Sequence, residues 1–509
     1  MTELLANAKN TLSCSFVPEP LLVFGGKQTC EDPKTGLAGY GPYSKTDATR
    51  RAIIRVGIVG PAEAVDRALT LVERMTHAIP HHEKNDAMLH PGFPGMNDQD
   101  PFQIQFVTQD IWCKTLTPAQ VARVECHPDF TVRVKLLVDG VAREVEALSK
   151  LDPPPDVVLI AMTANLEKQC RVGIAQYDKE QREGDDEDED SVPDVVEELD
   201  ETTTAEEEVA EEPQAGTARS FRRGLKAACM HLLPTQLLWH RTLAGTRGVQ
   251  DLATRAWNLS VALMYKASVI PWRLADVMDG SCFVGISFFH PEEDNSTSRT
   301  SVAQAFTHRG EGFVLQGDKF TWKPSHDERA PHLDRDAAKA LLKRVLSVYE
   351  DEVHGVPRRL IIHKTSRYTV EEREGFTDAL ALAGVAHYAL VTLSRRGICC
   401  LRPGNKPALR GTIIEFGEKK GLVYTIGYVP FLRCYPGFRI PQPLEVTENW
   451  GSLTFREVAA DLLRLTKLNW NTAAFCCVDP ITIAFSRRVG DILKIANTEN
   501  PARHYRQYM

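Results

Sequence analysis

Arg222 and Lys226 stand four residues apart in the run FRRGLKAACM, while the apolar residues Phe221, Leu225, Cys229 and Leu232 of the same stretch face the other way on a helix. Two cations on one face near a helix start are equipped to hold an anion, because unpaired backbone N–H groups there already favour negative charge. No comparably ordered catalytic set stands out. The GEG run at 310–312 and the scattered histidines lack a spacing tied to a mechanism. Glu371, Glu372 and Glu374 form an acidic helix start that suits the helix dipole. The twelve cysteines make neither a CxxC pair nor a Cys/His ladder of zinc spacing, so they read as reduced, mostly buried thiols.

The elements that must position these side chains follow an alternating order. A strand-like run at Ile53–Val59 precedes a helical stretch at Ala62–Ile79; a strand is expected at Asp156–Ala161, then helices at Phe221–Leu233, after Pro234, and at Val249–Lys266. From residue 276 the expected order is strand Phe283–Phe289, strand Gly312–Leu315, helix Asp334–Glu350, strand Arg359–His363, a further helix, strands near Tyr388–Leu393, Thr412–Phe416 and Leu422–Val429, and two closing helices. Strands alternating with helices of this length imply an α/β protein with parallel sheet. The division expected is 1–90 as a linker-like N-terminal segment, 91–275 as one domain and 276–509 as another.

Charge is unevenly placed. The net charge is −8, yet residues 178–212 hold 19 acidic and two basic residues, which leaves the remainder at +9. That balance is compatible with a polyanionic partner. The acidic insert, 178–215, has almost no large apolar residues and reads as disordered, either as a solvated loop or as a mimic of nucleic-acid charge. With 43% hydrophobic residues, no signal-like start and no apolar run of membrane-spanning length, the chain is expected to be cytoplasmic.

Residues 466–494, TKLNWNTAAFCCVDPITIAFSRRVGDILK, with the final RHYRQYM, resemble the closing segment of the PIWI domain of Argonaute proteins. The likeness extends to EPLLVFGG, GLAGYGPY, PPPDVVLIAM, RRLIIHKTS and YTIGYVPFLRCYPGFRIPQPLEV, and FRRGLKAACM, PTQ and WNLSVALMYKA resemble the MID domain. No segment resembles a PAZ domain. The chain as a whole resembles a short prokaryotic Argonaute, which implies a Rossmann-like MID domain and a ribonuclease-H-like PIWI domain.

By that resemblance Arg222, Lys226, Gln236 and Lys266 form the pocket for the 5'-phosphate of a small guide RNA, with Arg222 where the motif usually has Tyr or His. The resemblance also implies a Mg2+ ion at the phosphate, held by Gln236 and the terminal carboxylate of Met509. Active PIWI domains use two-metal catalysis, which needs several carboxylates around ions about 4 Å apart. The matching positions hold Ser287 in GISFFHP, Thr365 after LIIHK, and Phe485; Asp334 and Asp336 lie near the expected mobile glutamate. The expectation is therefore no nuclease activity. Lys467, Arg487, Arg488 and Lys494 are expected backbone contacts.

The function so implied is that of a guide-loaded sensor in an antiviral defence system. It would pair its guide with invading single-stranded DNA and activate a separate APAZ-containing effector subunit of TIR, Sir2 or nuclease type. The alternatives are a guided endonuclease with noncanonical metal ligands and a guide-independent scaffold for the effector.

Overall fold

The computed structural model describes residues 13–47, 50–171, 220–246, 249–289, 298–307, 312–320, 331–395, 398–437, 440–496, 498 and 500–509, with Ser298–Thr307 and Lys319 described by backbone alone. The acidic insert, His290, Pro291 and Gly310 lie outside the described residues.

Five strands build the first layer. Val157–Ala161 has the sequence VVLIA and every residue is buried, as a parallel strand covered on both faces requires. Ile53–Pro61 pairs in parallel with it, with Gln105–Val107 and with Cys113–Leu116; Thr235–Leu238 pairs in parallel on the other side of Val157–Ala161. The central strand thus comes from ahead of residue 91, and the expected boundary at 90/91 falls inside this layer. Helix Ala62–Met75 follows directly. The helix expected after Pro234 is instead strand Thr235–Leu238, followed by a short helix His240–Ala244. Helix Leu252–Lys266 is buried on all sides from Ala256 to Lys266, so it runs through the interior between the two layers.

The second layer is a mixed sheet of ten strands among the described residues. Its core runs, side by side, Gly312–Leu315, Ser298–Thr307, Ser281–Phe289, Arg359–Lys364 and His387–Arg395, with the last three mutually parallel, a ribonuclease-H-like order. Strands Leu444–Gly451, Gly421–Val423, Thr412–Glu415 and Ser13–Phe16 extend it. Helices Arg335–Val353 and Val370–Leu382 cover one face; Ile481–Ala496, the closing helix, packs on the other. Glu372 lies in the first turn of its helix, as expected, and is buried. It completes a capping box with Thr369 and is fully buried against the Lys364 ammonium at 2.6 Å.

The N-terminal segment joins both layers. Leu22–Val23 pairs with Arg273–Leu274, while Glu19 accepts from Arg410 and Lys467 at 2.8 Å each. No described helix is long and apolar enough to cross a membrane. Of the cysteines only Cys170, Cys229, Cys282 and Cys477 are buried; Cys14, Cys126 and Cys399 are exposed, and none is in a disulfide.

The closing helix can lie on Ser281–Phe289 only because Gly285 has no side chain: a Cβ there would stand 1.9 Å from the Thr482 carbonyl oxygen. Gly285→Ala should lower unfolding stability by about 3 kcal/mol in urea denaturation, since backbone rather than a flexible side chain must yield.

Candidate nucleic-acid interface

Helix Phe221–Cys229 buries Phe221, Leu225 and Cys229 in the first layer, and Arg222 begins its first turn. Lys226 lies in its last turn and is buried as well, with its ammonium donating to the Thr235 carbonyl at 2.5 Å. Lys266, the last residue of the interior helix, is 1% exposed and donates to Gln236 Oε1. The strand Thr235–Leu238 therefore presents acceptors to two lysines that arrive from different helices. The positive charge of Arg222 reaches both. All four residues expected at the anion pocket stand in one place.

The electrostatics of this cluster are unusual for the molecule. Burial pulls the Lys226 ammonium down to about 7, with repulsion from Arg222 adding to the effect. Burial also pulls Lys266 well below its ordinary value, and Lys226 and Arg222 push it the same way. Among the described residues neither lysine is ion-paired. The other buried cations have carboxylates: Lys364 has Glu372, Arg359 has Asp461, Arg410 and Lys467 share Glu19, and Lys34 lies in the field of Asp32 and Asp251. A buried ammonium without a counter-charge is costly, and an arriving anion removes that cost.

The closing helix and the C-terminal segment border the pocket. Arg223 pairs with Asp491 of the closing helix at 3.0 Å. Tyr505 is buried within the field of both Arg222 and Arg488, although burial dominates and raises its hydroxyl well above the usual value. Met509 is 3% exposed, its side chain in the same core cluster as Tyr505. Sequence reasoning quoted RHYRQYM but assigned no role to Tyr505; its aromatic character beside a basic helix was the available signal. Of the expected backbone contacts, Arg487 is exposed, Arg488 is half-buried and Lys494 pairs with Asp491 at 3.3 Å. Lys467 is a correction. It is 2% exposed and committed to Glu19, with its ammonium 3.5 Å from the centre of the Phe475 ring, so it is a core ion-pair partner and not a surface contact.

Ser287 and Thr365 stand two residues beyond the paired Gly285 and His363, at equal height on neighbouring parallel strands. Ser287 donates to the Ser486 carbonyl at 2.9 Å, which places the closing helix, and Phe485 with it, beside this strand end. Thr365 is exposed and Phe485 is buried. Asp334 caps helix Arg335–Val353 by accepting from the Ala337 N–H at 2.8 Å. Among the described residues no three His, Cys, Asp or Glu side chains gather where they could share a metal ion.

A Rossmann-like layer carrying a cationic pocket, joined through an interior helix to a ribonuclease-H-like layer, is the Argonaute fold, a MID-like unit on a PIWI-like unit. The crystal structure of Aquifex aeolicus Argonaute matches 96% of this chain and 54% of its own length at 15% identity, with a TM-score of 0.55. A structure of the same protein with externally bound siRNA matches 99% of this chain and 56% of its own at 13% identity and 0.58. Clostridium butyricum Argonaute bound to a guide DNA and a 19-mer target DNA matches 95% of this chain and 53% of its own at 12% identity and 0.58. The chain spans just over half the length of these structures. No protein-family model and no curated protein sequence matches it.

The depressed Lys226 gives a pH signature. Between about pH 7 and the unfolded lysine value of about 10.4 the unfolded chain binds a proton that the folded, ligand-free protein does not. This contribution to stability is therefore fully present above the unfolded value and is lost as pH falls through about 7. In urea titrations from pH 7 to 10, the wild type should gain on Lys226→Met by about 3–4 kcal/mol.

Proposed function

We propose that this chain is a guide-loaded nucleic-acid sensor: it anchors the 5'-phosphorylated end of a small guide RNA, pairs the guide with invading single-stranded DNA, and signals pairing to a separate APAZ-containing effector subunit. The observation that carries this reading is the pair of buried, un-ion-paired lysines, Lys226 and Lys266, beside Arg222. A terminal phosphate brings more negative charge than an internal diester and accepts several charge-assisted hydrogen bonds, so a converging cation cluster selects the end of a strand. Anion binding draws protons back onto both lysines. Arg222, at the first turn, can grip two phosphate oxygens with its guanidinium, but it does not stack on a base as a Tyr would.

Sequence recognition then belongs to base pairing, and the protein holds backbone and duplex shape. Arg487 and Arg488 on the closing helix are suitable cations for such contacts. Cleavage does not fit the residues: Ser287, Thr365 and Phe485 bring no negative charge to hold two divalent ions, and the Asp334 carboxylate is engaged in a helix cap. This reading does not require the Mg2+ ion expected between Gln236 and the terminal carboxylate of Met509, because Lys266 already donates to Gln236 Oε1. In this reading the three cations suffice for the phosphate. The role in defence and the effector partner rest on the sequence resemblance, and both belong to this proposal.

The test compares guide dissociation constants with a 5'-phosphate and with a 5'-hydroxyl, for the wild type and for Lys226→Ala/Lys266→Ala. The wild type should prefer the phosphate by roughly 10- to 100-fold, the scale of one strong charge-assisted hydrogen bond. The double variant should bind both guides alike, and a loaded wild type should release no cut target in Mg2+ or Mn2+. Indifference to the 5' group, or cleavage at a fixed distance along the guide, refutes the sensor.

A further inference from the structure

We infer that Phe485, which stands at the last metal-ligand position of the degenerate nuclease, is a positioning residue for the phosphate pocket, holding Tyr505 and Arg488 at its rim. The inference rests on reading the Arg222, Lys226 and Lys266 cluster as the guide-end site.

The rings of Phe485 and Tyr505 lie 4.1 Å apart between centroids with an interplanar angle of 17°, a parallel stack with both side chains buried. Tyr505 also meets Tyr265, the neighbour of Lys266 in sequence, at 6.4 Å. Tyr265 in turn packs on Trp470 at 4.6 Å. The aromatic column thus runs from the closing helix to the end of the interior helix that delivers Lys266. Arg488, three residues beyond Phe485 on the same helix, holds its guanidinium 5.7 Å from the Phe485 ring centre. Around this column the chain is pinned by backbone and side-chain contacts: the Val314 N–H donates to the Arg503 carbonyl at 2.9 Å, Arg506 donates to Ser268 just past the interior helix, and Arg503 faces Asp351 and Glu352.

A metal ligand at position 485 could not do this. An aspartate would bury a charge against the Tyr505 ring without offering a flat face, whereas phenylalanine supplies area, stacking and a surface for Arg488. Loss of the ligand and construction of the pocket rim are therefore one substitution. Phe485 thus touches Tyr505, which lies in the field of Arg222 and Arg488, and through it turns the lost ligand position into support for the pocket.

The experiment measures the ratio of dissociation constants for 5'-hydroxyl and 5'-phosphorylated guides in the full chain carrying Phe485→Leu, Phe485→Met or Phe485→Tyr. Leucine and methionine fill space without a ring, and tyrosine keeps the ring. The ratio should fall roughly three- to tenfold in the first two, the size of one aromatic stack, and stay at the wild-type value in Phe485→Tyr. Unfolding midpoints identify which of the two ringless variants folds, and either serves. A purely structural role would weaken both guides equally and leave the ratio unmoved, which overturns the inference. If the ratio is unmoved here but collapses in Lys226→Ala/Lys266→Ala, the pocket reading stands and only the role of Phe485 falls. If the wild type shows no phosphate preference, both fall together.

Discussion

The burial of lysines without a counter-charge is the constraint on which this structure turns. The fold pairs most of its other buried cations with carboxylates, Lys34 on the Leu89 carbonyl being an exception, and sometimes does so over great separations in sequence: Glu19 serves Arg410 and Lys467 across 391 and 448 residues. At the meeting of helix Phe221–Cys229, strand Thr235–Leu238 and the interior helix it does not. Among the described residues Lys226 and Lys266 have only neutral acceptors, the Thr235 carbonyl and the Gln236 amide oxygen, and each is further repelled by its neighbours. Neutral hydrogen bonds orient an ammonium but do not replace its lost hydration. In the proposed function, the phosphorylated end of the guide carries the missing charge.

The architecture around that site explains how two layers act as one body. The interior helix is buried on all sides from Ala256 to Lys266, and its Asn258 accepts from the Thr472 hydroxyl and the Ala473 N–H at 2.9 Å each. Trp272 donates to the Lys467 carbonyl at 2.8 Å. The closing helix touches Ser287 and His363 of the larger sheet and Arg223 of the pocket helix. The closing helix thus joins the helix that carries Arg222 and Lys226 to the ends of strands Ser281–Phe289 and Arg359–Lys364.

Local chemistry was legible in the sequence, and long-range chemistry was not. Val157–Ala161 declared itself by an unbroken aliphatic run, and Arg222 with Lys226 by their helical spacing. Burial of Lys226 was invisible, because it depends on where the strand after Pro234 passes. That strand was itself misread as a helix: the four residues TQLL carry no period that separates the two. Strands Gln105–Val107 and Leu444–Gly451 were missed, the first for brevity and the second for its polar residues. Lys467 looked like a surface cation since nothing local announces Glu19. The assignment of Ser287, Thr365 and Phe485 to ligand positions rests on the sequence resemblance, and the stack that Phe485 makes with Tyr505 depends on tertiary packing.

The central claim is that the buried lysines exist to hold the phosphorylated end of a guide strand. End-group analysis and sequencing of the nucleic acid that co-purifies with the chain test it most directly. The account predicts short RNAs of narrow length whose 5' ends carry phosphate. Preparations free of nucleic acid, or strands mixed in length and indifferent at the 5' end, would contradict it.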